Sequence, residues 1–277
     1  MCGIAGELRF DQVMADLHAV ADMTRDQARR GPDGEGLFGL RARAFAHRRL
    51  RIMDLSQRAR QPFVDNDLGL GVVFNGAIYN HHELRQELAG KGYRFASTGD
   101  TEVILKAWHA WHAWGPAWWR LDFSLSAADI ERPFEAWRDL TLTGLRAAVR
   151  RRTVADVPVG VLLSGGVDSS LITGLLAETG TPDLRTDAIG FETVGGEAGD
   201  DFHYSDLVAN HFGTHHEKMM IPGADLLSAL PAAIDAMSEP MVSHDCVAFY
   251  LLSAALAKHG RVVQSGQGAD EVFGGYH

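Results

Sequence analysis

The sequence holds only two cysteines in 277 residues, Cys2 and Cys246. Two thiols make no disulfide framework, so a buried core must hold the fold. No apolar run approaches the ~20 residues that a membrane-spanning helix needs. No basic start followed by an apolar block marks a secretory leader. The expected setting is the cytoplasm, with no membrane partner. Basic residues are also few: 26 Lys and Arg stand against 36 Asp and Glu, a formal charge of −10. That balance argues against nucleic acid as a partner. The basic run from Arg146 to Arg152 is local and reads as a solvated helix face. Zinc-binding spacings are missing, since neither HExxH nor paired CxxC occurs. His211, His215 and His216, among thirteen histidines, therefore read as loop and strand-end residues. The mononucleotide loop GxxxxGK[ST] is absent too.

What is present is a hydrophobic fraction of 46%, ordinary for a globular protein, and a length suited to about two domains. Two patterns succeed one another. Up to residue 115, short strand-like runs alternate with glycine-rich turns. CGIAGELRF, AFAHRRLRIMDL and LGLGVVFNGAIYN predict strands, and HHELRQELAGKG predicts a helix stopping at Gly90. TGDTEVILKAWHAWHAW predicts a further helix. Its Trp108, Trp111 and Trp114 recur at three-residue intervals and read as a core or interface stripe. Residues 116–136 read as a strand end and linker, with Pro133 near a helix entry. Beyond them, VPVGVLL, LRTDAIGFE, HHEKMMI and RVVQ predict strands that alternate with helices. Such alternation predicts a parallel α/β sheet with right-handed crossovers. The expected division is a first domain over 1–115, a linker over 116–136 and a second domain over 137–277. Cys246 reads as a buried small hydrophobe.

SGGVDSS at residues 164–170 lies between the strand VGVLL and a helix. A lone SGG is an ordinary turn. Between a buried strand and a helix N-terminus it forms an anion site, with backbone N–H groups and the helix dipole facing the ligand. Asp168 and serines stand where the common loop has lysine. Asp168 suits Mg²⁺, and the loop suits a released pyrophosphate better than a transferred γ-phosphoryl group.

VPVGVLLSGGVDSS resembles the PP-loop of the ATP pyrophosphatases, in the form found in asparagine synthetase-type glutamine amidotransferases. VVQSGQGADEVFGGY resembles that family's second ATP signature. The resemblance implies ATP contacts from Leu163, Ser164, Gly165, Gly166, Asp168, Ser169, Ser170, Ile189, Ser265 and Gly266, and Mg²⁺ on Asp168 and Asp270. Leu163 and Ile189 match positions of the adenosine pocket. Gln267 stands where asparagine synthetases usually have glutamate.

MCGIAG at the start resembles the class II glutaminase signature. Removal of Met1 would leave Cys2 with a thiol and a free α-amine, a base of pKa ~7.7–8.0. The thiolate would attack the glutamine side-chain amide and form a thioester. Taken singly, Arg49, Asn75, Gly76 and Asp100 read as a surface charge, a turn and a helix cap. At the family's positions the resemblance gives them roles. Arg49 pairs with the glutamine α-carboxylate, Asn75 and Gly76 form the oxyanion hole, and Asp100 receives the α-ammonium. Leu50 and Ile52 complete the glutamine site.

The implied fold joins α+β and α/β parts. They are an Ntn-type glutaminase, a layered β-sandwich with helices, and a parallel-sheet ATP pyrophosphatase domain. Both are expected to be incomplete. After AWHAWG a block on the order of a hundred residues, more than half a typical domain, looks deleted, and the chain stops at His277 soon after the second ATP signature. GPDGEG, MSEPMVSHDCVAFYLLS and SGQGADEVFGGYH are similar to the N-acetylglutaminylglutamine amidotransferase branch, which would amidate a dipeptide carboxylate rather than aspartate. The expected partners are glutamine, ATP and a carboxylate acceptor, with exposed deletion surfaces favouring a homo-oligomer. The alternatives are a remnant with only glutaminase or ATP-binding activity, and an inactive fragment.

Overall fold

Small residues set the first sheet. The computed structural model describes residues 2–112, 124–192, 202–237 and 245–275, in two compact units, Met1–Pro133 and Phe134–His277. In the first unit β1 (Gly3–Leu8), β2 (Gly34–Leu40) and β3 (Arg43–Arg49) form an antiparallel sheet in the order β1-β3-β2. Ala44 and Ala46 of the central strand are fully buried and leave room for Val20 of helix α1 (Leu17–Asp26). Asp16 caps that helix by accepting the N–H groups of His18 and Ala19. A separate hairpin, β4 (Phe63–Asp65) and β5 (Leu70–Val72), precedes α2 (His81–Gly90) and α3 (Thr101–Trp111). A single turn, α4 (Ala127–Ile130), follows.

Three expectations need correction here. The run LGLGVVFNGAIYN is a strand only over Leu70–Val72. Beyond it the side-chain amide of Gln61, rather than a neighbouring strand, satisfies both backbone groups of Phe74. Trp108 is 41% exposed and Trp111 half-buried, so the core half of the core-or-interface expectation fails at Trp108. Cys246 is half-buried rather than buried, because it lies on the opening turn of its helix. Trp114 and the strand end expected at 116–123 fall outside the described residues.

The second unit opens with α5 (Phe134–Arg151), directly after Pro133. Its sheet joins β6 (Val159–Leu162), β7 (Arg185–Phe191), β8 (His215–Ile221) and β9 (Val262–Gln264), all parallel, in the order β8-β7-β6-β9. The connections carry α6 (Val167–Glu178), α7 (Phe202–Phe212), α8 (Gly223–Ala236) and α9 (Asp245–Leu256), and α10 (Ala269–Phe273) follows β9. Val149, Val161, Leu175, Leu176 and Leu184 form the core between sheet and helices. The chain leaves β6 toward β7 and β8, then returns to β9 on the other side. The strand order therefore reverses between β6 and β9, and ligands of open α/β sheets bind outside the carboxyl ends at such a point. No helix among the described residues is long and apolar enough to cross a membrane.

Candidate glutamine and nucleotide sites

In the first unit Cys2, Arg49, Leu50, Ile52, Asn75, Gly76 and Asp100 line one cavity of about 290 Å³. They come from four separate places in the chain, so the fold alone assembles them. The Cys2 sulfur accepts the Leu50 N–H at 3.3 Å, and the Cys2 carbonyl accepts from Arg30 Nε at 3.3 Å. Arg49, at the end of β3, is 6% exposed. It donates through Nη1 to Ser56 O at 2.7 Å, and through Nη2 to Met53 O at 3.3 Å and to Asp54 O. Three of the five guanidinium donors are thus engaged. Burial lowers the Arg49 pKa, opposed by the neighbouring Asp54 carboxylate. Asp100 Oδ2 accepts the Ile78 N–H at 3.0 Å, which ties the start of α3 to the loop after Gly76.

A set of polar side chains that sequence reasoning missed holds these loops. Gln61 is 7% exposed. Its Oε1 accepts the Phe74 N–H at 2.6 Å, while Nε2 donates to Phe74 O and Thr101 Oγ1, each at 3.2 Å. It fixes the residue just before Asn75. At Gly76 a Cβ would lie 2.6 Å from the Phe74 ring, which would have to shift to admit a side chain. Arg85 donates to Ser97 O and Gly99 O, both at 2.7 Å, and so clamps the loop that carries Asp100. Asp54 accepts the Thr98 N–H at 2.7 Å. Burial alone would raise its carboxyl, but hydrogen bonds from Ser56 and Thr98 outweigh it and take the pKa down to about 2. Glu102 is likewise pushed up by burial and pulled lower overall by Lys106 and the N–H groups of Ala96 and Ser97. Phe74 and Thr101, the partners of Gln61, and Thr98, the distant partner of Asp54, lie 13 to 44 positions away, so no local pattern announces them.

In the second unit the loop Ser164–Gly166 joins β6 to α6. Gly165 has φ +92°, and a Cβ there would meet Tyr204 Cβ at 2.7 Å and Ser205 N at 2.8 Å. Only glycine fits both the conformation and the gap. The serine hydroxyls stitch the turn: Ser164 Oγ pairs with Ser169 Oγ at 3.0 Å, and Ser170 Oγ donates to Gly166 O at 2.7 Å. Ser265 and Gly266 follow β9 and lie beside this turn. A Cβ on Gly266 would fall 2.8 Å from Asp168 Cβ and 3.0 Å from Ser169 N. Asp168 and Asp270 occupy the first turns of α6 and α10. Leu163 is fully buried, with its N–H on Asp187 O at 2.9 Å, and Ile189 is half-buried on β7.

The likeness to known proteins follows the same division. Residues 141–277 match the asparagine synthase family model, and residues 1–120 match that of a glutamine amidotransferase domain. The chain belongs to the asparagine synthetase family. Among its relatives are two Bacillus subtilis proteins named asparagine synthetase [glutamine-hydrolyzing], 1 and 3. They are 25% and 26% identical over alignments that cover all of this chain and 59% and 63% of theirs. Asparagine synthetase [glutamine-hydrolyzing] 2 of rice is 25% identical, with all of this chain and 60% of the relative covered. The chain thus spans about 60% of the length of these asparagine synthetases. The first alignment runs over 378 positions against the 277 residues here, so 101 aligned positions have no residue in this chain. A solved NH3-dependent NAD synthetase from Campylobacter jejuni overlaps 51% of this chain and 61% of its own at 16% identity and a TM-score of 0.34, which adds nothing to the assignment.

Proposed function

We propose that the chain carries the two half-reactions of a glutamine-dependent amide ligase, with glutamine and ATP as substrates. The observation that carries this reading is the convergence of Cys2, Arg49, Asn75, Gly76 and Asp100 on one cavity. After removal of Met1, the Cys2 α-amine takes the thiol proton and the thiolate attacks the glutamine side-chain amide. The Asn75 side chain and Gly76 N–H stabilise the oxyanion. Ammonia leaves, and water hydrolyses the thioester to glutamate. Arg49, with two donors left beyond its carbonyl partners, holds the α-carboxylate, and Asp100 holds the α-ammonium. Leu50 and Ile52 supply apolar wall.

In the second unit, Ser164–Gly166, Asp168, Ser169 and Ser170 face Ser265 and Gly266 at the reversal point of the sheet, and there they bind the phosphates of ATP. Leu163 and Ile189 support the adenosine side. The carboxylates of Asp168 and Asp270 are hard oxygen donors and fit Mg²⁺, which would neutralise the pyrophosphate. The acceptor carboxylate attacks the α-phosphate, pyrophosphate departs, and ammonia displaces AMP to give the amide. Aspartate and a dipeptide such as N-acetylglutaminylglutamine are the two acceptor classes. The cytoplasm suits a thiol nucleophile that must stay reduced.

A second reading rests on the 101 aligned positions without a residue here: one half-reaction survives alone, or the chain self-associates through uncovered sheet. Glutamine hydrolysis and ATP–pyrophosphate exchange, assayed separately, distinguish these. Both activities support the ligase reading, one activity supports the remnant, and the absence of both supports the inactive, self-associating fragment.

A further inference from the structure

One buried carboxylate of the second unit has no side-chain partner among the described residues. Asp187 of β7 is 6% exposed, and among the described residues it accepts no hydrogen bond and makes no ion pair. It lines a cavity of about 1210 Å³ at the amino ends of the strands, the edge opposite Ser164–Gly166. Directly across the ladder, in register, stands Glu217 of β8. Side chains paired in this way share one face, and like charges so placed repel. His259, just beyond α9, reaches the same spot, with Nε2 3.1 Å from Glu217 Oε2. One donor atom from each of Asp187, Glu217 and His259 lies within 4.8 Å of the others. The other Glu217 oxygen is balanced elsewhere, by Arg185 at 3.2 Å, with His215 Nε2 3.7 Å away. The Oε2 atom is left facing His259.

We propose that Asp187, Glu217 and His259 form a site for one divalent transition-metal cation of the zinc class. Two carboxylate oxygens and one imidazole nitrogen suit zinc, with water completing the shell, whereas magnesium takes oxygen alone. The cation neutralises the facing carboxylates and ties the segment after α9 to β7 and β8. That segment leads within three residues into β9, whose carboxyl end carries Ser265 and Gly266. The site is separate from the Mg²⁺ expected with ATP.

The test uses the full chain, stripped with chelator and titrated with Co²⁺ in the absence of nucleotide. Visible d–d absorbance is expected to saturate at one equivalent and to vanish when Zn²⁺ is added. Asp187→Asn and His259→Gln are each expected to weaken binding at least about tenfold, while His211→Gln, on an exposed position of α7, leaves the titration unchanged. Zn²⁺ is expected to raise the unfolding temperature of the wild type and not of the two site variants. Should one of these fail to fold, Glu217→Gln serves for the same comparison. Wild-type protein that takes up no Co²⁺, or Asp187→Asn protein that binds it as tightly as wild type, overturns the site.

Discussion

At the scale of single residues, position separates two chemically identical thiols. Cys2 lines the 290 Å³ cavity, whereas Cys246 sits half-buried at the start of α9. A glutamine-like electrophile such as 6-diazo-5-oxonorleucine is expected to label Cys2 and spare Cys246, read by peptide mass spectrometry. Labelling of Cys246 alone would refute the assignment. Gln61 acts one step removed, by holding the residue before Asn75. Gln61→Leu removes the bonds to Phe74 and is expected to cut glutaminase kcat by about 10- to 100-fold with little change in KM. A rise in KM at unchanged kcat would place Gln61 in binding instead. His47 is fully buried, and burial pulls its pKa down to about 4, opposed by its bond to Phe74 O. It is neutral in the fold, while the unfolded chain takes up a proton below about 6.5. The unfolded state therefore binds more protons between those values, and stability falls as pH drops from 6.5 toward 4. His47 alone is expected to cost about 2 kcal/mol between pH 7 and 5. Denaturant midpoints of wild type and His47→Gln across that window measure it. Parallel profiles would contradict the buried neutral imidazole.

At the scale of elements, the two loops proposed to bind nucleotide depend on backbone approaching backbone. Gly165 and Gly266 each lie where a Cβ would come within 3.0 Å of a main-chain nitrogen. Gly266→Ala would push the loop after β9 off the first turn of α6. The expected result is at least about tenfold weaker ATP binding and a loss of about 1–3 kcal/mol in stability, seen by calorimetry and thermal melts. Unaltered affinity would show that the two loops do not share a ligand. Much of this level was legible in the sequence. SGGVDSS between strand and helix, and the alternation from VPVGVLL onward, gave the parallel sheet, because those signals are local. That Cys2, Arg49, Asn75, Gly76 and Asp100 line one cavity was legible through the family resemblance and not through spacing. Gln61, Arg85 and Asp54 were not, since their roles arise from partners brought near only by folding. The Asp187–Glu217 pair was hidden for the same reason: register across β7 and β8 cannot be read from either strand alone.

At the scale of the whole molecule, the chain keeps both signatures of its family while spanning about 60% of its relatives' length. Coupled amide synthesis needs ammonia to pass from one unit to the other without escape, which is more demanding than either half-reaction. ATP-dependent amide formation from glutamine is accordingly expected to be weak beside glutamine hydrolysis and pyrophosphate exchange, by product mass spectrometry. Stoichiometric glutamate, AMP and amide would show full coupling instead. The claim on which the account turns is that the cavity around Cys2 hydrolyses glutamine. Its most direct test is glutamate release from glutamine by the wild-type chain and by Cys2→Ala, both confirmed folded. Release by the wild type is expected, with a loss of at least about 10³-fold in the variant. Equal release by the two proteins, or none from the wild type, would contradict it.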